Sequence, residues 1–127
     1  MIFAKRVFQI AGIYGLAVVI LGYGTFFFGT EEWSVYTNHP EYVHGFFAVT
    51  FAWQVAFLVI ATEPVRYRLL MLAGMLEKFP YTLATLALYA NAEIGSLILA
   101  FGLVDGVFGV LFGAAYIATE REARADS

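Results

Sequence analysis

Residues 74–85 read GMLEKFPYTLAT, and the placement of that stretch decides the fold. Glu77 and Lys78 stand side by side, Pro80 follows, and apolar sequence flanks them on both sides. A run of about 20 apolar residues crosses a bilayer as a helix. On that reading, two charges lie deep in a membrane span. If the span starts near Leu69 and rises about 1.5 Å per residue, Glu77 sits about 12 Å along it. The hydrocarbon core is about 30 Å thick, so both charges fall close to its centre.

The rest of the chain belongs to the same class. Of its 127 residues 61% are hydrophobic and 13% charged, and the mean hydropathy is +0.78. A soluble domain carries about 25% charged residues. Too little polar surface remains here to cover a water-soluble globule. Three further apolar runs join the one around Glu77, giving spans at about 7–28, 42–62, 69–90 and 94–117. They do not alternate as barrel strands would, so backbone satisfaction in lipid requires helices. The expected fold is all-α: one integral membrane domain over 1–127, built as a four-helix transmembrane bundle. Lys5 and Arg6 before the first run resemble a signal-peptide start. The run is too long for that, and GTFFFGT offers no small-residue cleavage site, so an uncleaved span is expected.

Seven basic residues orient the bundle. Lys5 and Arg6 precede span one, Arg66 and Arg68 lie between spans two and three, and Arg121 and Arg124 follow span four. Those six fall on one side, and the seventh is Lys78. The positive-inside rule puts both termini in the cytoplasm. The opposite side carries Glu31, Glu32, Glu41 and Glu93. Arg66 and Arg68 are read as interface anchors, with anionic headgroups or a partner's acidic patch as contacts. Trp33, Tyr36 and Tyr42 on one side, with Tyr67 and Tyr116 on the other, suit the aromatic belts. Asn38 or His39 can cap span two, with Pro40 at its first position. The tail TEREARADS reads as polar and frayed.

Gly102, Gly106, Gly109 and Gly113 repeat at intervals that place all four on one face of span four. Small residues on one face let two helices approach closely in lipid. Packing inside the bundle and homo-oligomerisation both follow from that face. Gly12, Gly15 and Gly22 make span one a candidate neighbour.

The candidate functional residues are the ionisable groups at depth: Glu77, Lys78 and Asp105. Each costs roughly 2.5–3.5 kcal/mol to insert unpaired, so they should face the bundle and find partners. Glu77 and Lys78 are about 100° apart on the helix. A cross-helix pair between Lys78 and Asp105 is therefore expected, with Glu77 on its flank. Pro80 removes one backbone hydrogen bond and crowds the carbonyl of Leu76. Lys78, Thr82, Thr85 and Tyr89 share one face of span three, and Thr50, Trp53 and Gln54 share one on span two. Together they could line a polar-aromatic ligand pocket opening outward, or form a hydrogen-bond network that locks the bundle. His39, Glu41 and His44 are weak metal candidates, since Glu41 and His44 have a usable i, i+3 spacing. With no cysteine, iron–sulfur and thiol chemistry are excluded, and both histidines at one end argue against haem. No cofactor and no nucleic-acid partner are expected.

HPEYVHGFFAVTFAWQVAFLVIATEPVRYRLLMLAGMLEKF at 39–79, AGIYGLAVV before it and AFGLVDGVFGVLF after it carry a family resemblance. The chain resembles the BphX-like family of small bacterial four-helix membrane proteins, which looks related to the DoxX-like group. Its most specific pieces are HPE, AWQ, PVRYR and LEKF, placing Glu41, Trp53, Gln54, Arg66, Arg68, Glu77 and Lys78 at motif positions. Pro80 after LEKF departs from the pattern. The resemblance implies a multi-pass protein of the bacterial inner membrane and no established activity.

Three functions compete. One is a binding or accessory subunit for a lipophilic, quinone-like molecule or for a partner membrane complex, with membrane lipids around it. Another is a membrane-embedded isomerase or oxidoreductase acting on a hydrophobic substrate, with Glu77 or Asp105 as acid or base. The third, a small proton-coupled transporter, is disfavoured because span one carries no ionisable acid or base at depth.

Overall fold

Pro40 fixes the start of one helix, Ala92 the end of another, and glycine stripes decide which helices pair. A computed structural model describes residues 2–28 and 39–127, and the side chains of 26–28 are not included in that description. Among these residues there are four helices and no strand: α1 (Ile2–Phe28), α2 (Pro40–Thr62), α3 (Leu70–Ala90) and α4 (Ser96–Ala125). Glu31, Glu32, Trp33, Tyr36 and Asn38 lie outside the described residues.

Two boundaries differ from the sequence reading. α1 begins at Ile2 and not near Val7, so Lys5 and Arg6 ride on the helix itself. α4 runs on to Ala125 instead of fraying after Ile117. Ion pairs hold that extension: Arg68 reaches Glu120 at 3.2 Å, and Arg124 reaches the same carboxylate at 3.2 Å. α2 starts at Pro40 with His39 in the capping position, but the His39 side chain makes no capping bond. Its carbonyl accepts from the Tyr42 amide at 3.0 Å, and its ring contacts Glu41 at 3.2 Å.

Between α2 and α3 the chain turns through i→i+3 bonds, among them Leu70 N–H to Tyr67 O at 2.9 Å and Met71 N–H to Arg68 O at 3.0 Å. Regular helix follows only from Leu70, and it continues through Pro80 without a break. α3 ends in a Schellman-type closure. The Glu93 amide donates to Leu88 O at 2.9 Å and the Ala92 amide to Tyr89 O at 3.0 Å. Ala92 takes the left-handed conformation there, with φ of 57°.

The helices form a ring of antiparallel neighbours in which α3 packs most closely on α4 and α1 on α2. The α1/α4 contact is smaller, and the α2/α3 contact is smaller still. Glycines make both close pairs. On α4, Gly102 and Gly106 face Thr85 and Thr82, Gly109 faces Phe79 and Gly113 faces Met75. The neighbour of this stripe is thus α3, whose short connection to α4 brings it alongside, and not α1 as the sequence suggested. The glycines of α1 face α2 instead: Gly12 lies under Leu58, Gly15 under Gln54 and Gly22 under Phe47.

All four helices share a core only toward one end. Phe8 of α1 stacks on Phe112 of α4 with centroids 4.3 Å apart, and Phe57 of α2 joins them at 4.9 Å from Phe112. Met71 and Gly74 bring α3 against these rings. Toward the other end α2 has no buried residue from 40 to 53, and α3 buries only Thr85 beyond Lys78. The bundle is closed where the six flanking basic residues lie and loose at the opposite end.

By length and composition α1, α2 and α4 are able to cross a membrane. α3, at 21 residues, is long enough, but with Glu77, Lys78 and Pro80 inside it is not apolar enough to join them. Leucines, isoleucines and valines stand exposed around the bundle, including Ile13, Leu21, Leu76, Leu83, Leu97 and Val110. Such a continuous apolar surface on a chain of this size marks contact with lipid or another membrane segment.

Candidate functional site: an ion triad above an aromatic floor

Lys78 projects from α3 into the interior, where its side chain is 4% exposed. A long cation at such depth needs a counter-charge within reach, and α4 supplies it. Gly102, Gly106 and Gly109 let the α4 backbone approach α3, so that even the short Asp105 side chain reaches across. The Lys78 ammonium donates to Asp105 Oδ1 at 3.3 Å. Glu77 Oε2 lies at the same distance, 3.3 Å from Lys78 Nζ. The two contacts differ in quality. Asp105 receives a directed hydrogen bond, whereas Glu77 Oε2 is buried and accepts none. The Glu77 contact is the less directed of the two.

Below the ammonium lies an aromatic floor. Lys78 Nζ is 5.4 Å from the ring centre of Phe57 and 5.8 Å from that of Phe108. Both distances suit a cation over a π face. Phe108 in turn touches Tyr14 of α1 at 5.6 Å, and Phe57 touches Trp53 at 6.0 Å. Every helix thus contributes to the surroundings of one charge. The carboxylates are less enclosed than the lysine, with side-chain exposures of 16% for Glu77 and 18% for Asp105.

The other polar candidates separate into two seams. Thr82 donates to the Gly102 carbonyl at 2.7 Å, and Thr85 donates to Thr82 O at 2.9 Å, within the α3/α4 seam. Gln54 donates to Thr50 O at 2.9 Å and is buried in the α1/α2 seam. Its Oε1 has no hydrogen-bond partner and rests against the Gly15 backbone, where a Cβ would overlap it. That is the geometry of a weak Cα–H···O contact. Tyr89 is exposed. A shallow, open depression lies at the Pro40 end of α2, lined by Glu41, Tyr42, Gly45, Phe46, Val49 and Thr50. It contains Thr50 but none of the other five residues singled out for a pocket.

At the same end His39 contacts Glu41, and His44 meets Tyr23 Oη at 2.5 Å. Among the described residues no three His, Asp or Glu side chains converge on a point that could hold a metal. Arg66 pairs with Glu63 at 3.1 Å, and that bond pushes its guanidinium further up. Arg68 is a clamp between the α2/α3 connection and α4. Its hydrogen bond holds the Glu120 carboxyl below the ordinary carboxylate range, with Arg124 adding to the effect.

No protein-family model matches the chain, and no curated protein or solved structure is significantly similar to it. The functional reading therefore rests on the geometry. Sequence inspection missed the aromatic floor, although Phe108 stands one helical turn after Asp105 and so shares its face. It also missed Glu120, whose partner Arg68 is remote in sequence.

Proposed function

We propose that the chain is a four-span protein of the bacterial inner membrane with both termini in the cytoplasm. In this reading α3 crosses with its neighbours because its charges are paired inside the bundle. Its role is that of a binding or accessory subunit, serving a lipophilic, quinone-like molecule or a partner membrane complex. The BphX-like resemblance is part of the same proposal and rests on the quoted motifs.

One observation carries the reading: Lys78 is clamped between two carboxylates on an aromatic floor, with 4% of its side chain exposed. A general acid or base must come within hydrogen-bond reach of its substrate. A lysine held this way favours locking the helices over turning over a substrate. The locked end leaves the loose outer half of α2 and α3, with Phe46, Val49, Leu83 and Leu86 exposed, as the surface for a lipophilic ligand or another membrane helix.

Native mass spectrometry of the chain ejected from its own membrane vesicles tests this. The expected result is a retained small molecule or second polypeptide at fixed stoichiometry. Recovery of the bare chain with bilayer lipids alone would overturn the subunit reading. Reporter fusions that place the two termini on opposite sides would overturn the topology.

The enzyme reading keeps one observation in its favour. Glu77 Oε2 has no donor, and both carboxylates retain some exposure. If this reading holds, Glu77→Gln folds normally yet abolishes conversion of a hydrophobic substrate, whereas a subunit role tolerates the change.

A further inference from the structure

The charge count of the triad does not close. Two carboxylates and one ammonium lie within 3.3 Å contacts, and the surroundings are Phe57, Phe108 and the helices that carry them. Fully ionised, the group would hold one net negative charge in a low-dielectric interior. Neutrality is reached either by a proton on a carboxylate or by a further cation. No other Lys or Arg lies at this depth in the sequence. We propose that the triad is a proton-binding site and that Glu77 is the carboxyl that carries the proton.

Three features choose Glu77. Asp105 accepts the directed hydrogen bond from Lys78, which favours its charged form. Glu77 Oε2 is buried with no hydrogen bond of its own, approached only by the ammonium at 3.3 Å that already donates to Asp105, and ionising so poorly solvated an oxygen is costly. Lys78 lies against Asp105 and over the faces of Phe57 and Phe108, contacts that attract an ammonium. The groups that face the site are few among the described residues. α1 contributes the Tyr14 phenol through its contact with Phe108, and α4 contributes Asp105. α2 contributes Phe57 and Trp53, neither titratable, while its Glu41, Tyr42 and His44 stand at its far end. The proton comes from water and neutralises the surplus charge, with no bond broken and no redox partner required. Partial exposure of Glu77 leaves a path for exchange.

The site follows a simple rule, that the number of protonated carboxyls equals carboxylates minus ammonium ions. The native triad then holds one, Glu77→Gln none, Asp105→Asn none and Lys78→Met two. Infrared spectroscopy of the protein in lipid nanodiscs reads this directly, since a protonated carboxyl has a separate carbonyl stretch that moves on deuterium exchange. At neutral pH the native protein should show one such band. Incorporation of glutamate with a heavy carboxyl carbon should shift it, and labelled aspartate should not. This arm uses the unaltered chain, so it stands even where a variant fails to fold. Glu77→Gln should then remove the band, which excludes the other glutamates. Absence of the band, or a shift with labelled aspartate, overturns the proposal. The assignment does not depend on the subunit role, and the mass-spectrometric test can fail without touching it.

Discussion

Lys78 and Asp105 offer the sharpest test of how this bundle is held. Lys78→Met removes the cation of the triad and leaves two carboxyl groups, 16% and 18% exposed, at the α3/α4 seam, both of which must then take up a proton. Breaking one partner of a buried pair costs about 3–5 kcal/mol, because the survivor is left uncompensated. Lys78→Met should fall at the upper end of that range. Asp105→Asn is milder, since Glu77 remains 3.3 Å from the ammonium and can take over as counter-charge. Its loss should sit at or below the lower end. In the double variant the two losses should not add, because the one Lys78–Asp105 contact can be lost only once. A coupling of roughly 0.5–3 kcal/mol is expected, the range found for residues in one charge network. Thermal unfolding of the detergent-solubilised protein across the four-member cycle measures it. Additivity within about 0.5 kcal/mol would mean that the 3.3 Å contact contributes nothing and would refute the reasoning.

Three further outcomes follow from other parts of the fold. Gly102→Ala drives a Cβ into Thr85, whose own Cβ stands 2.7 Å away, so destabilisation of about 1–3 kcal/mol is expected in the same melts. Gly45→Ala, with nothing within 4 Å, should instead stabilise α2 by up to about 1 kcal/mol. Ala92→Gly relieves the left-handed strain at φ of 57° and should stabilise the chain by roughly 1 kcal/mol, whereas Ala92→Val should destabilise it. The Arg68–Glu120 clamp gives a pH dependence of defined sign. Glu120 is held below its ordinary 4.5, so the folded state resists protonation more than the unfolded one. Its contribution is present above about pH 4.5 and lost as pH falls below it. Arg68→Gln should therefore shrink the acid-induced drop in melting temperature, and an unchanged acid profile would remove the clamp.

Much of this architecture was legible because lipid imposes few alternatives. Four apolar runs, the proline at the start of α2 and the basic residues at the flanks lead to four helices with small boundary errors. Those errors have specific causes. The tail after Ile117 looked frayed because its charges read as solvated, yet Glu120 is fastened to Arg68 from a connection distant in sequence. The partner of the glycine stripe was misjudged for a different reason. Glycine spacing gives a face, while the identity of the opposing helix depends on ring order, which a short α3/α4 connection decides. At the site, the Lys78–Asp105 contact could be anticipated from insertion cost. The quality of each contact could not, because a hydrogen bond to Asp105 and a bare approach to Glu77 differ only in side-chain rotamers. The candidate pocket residues look equivalent on helical wheels, yet Gln54 and Thr85 are buried in different seams.

The placement of the triad within the bundle follows from the same forces. Below Lys78 the rings of Phe8, Phe57 and Phe112 close all four helices on one another. Toward the far end, the two hairpins keep their internal glycine contacts but share few with each other. Lys78 belongs to one hairpin and lies over Phe57 of the other, so its charge sits at the boundary between the closed and loose halves. Between apolar helices in lipid no hydrophobic force favours one register over another. A buried charge does, since every misaligned packing leaves Lys78 or a carboxylate without a partner. The triad thereby selects one arrangement of α3 against α4. The aromatic floor then carries that choice across to α2, where sliding by one turn would draw Phe57 away from the ammonium.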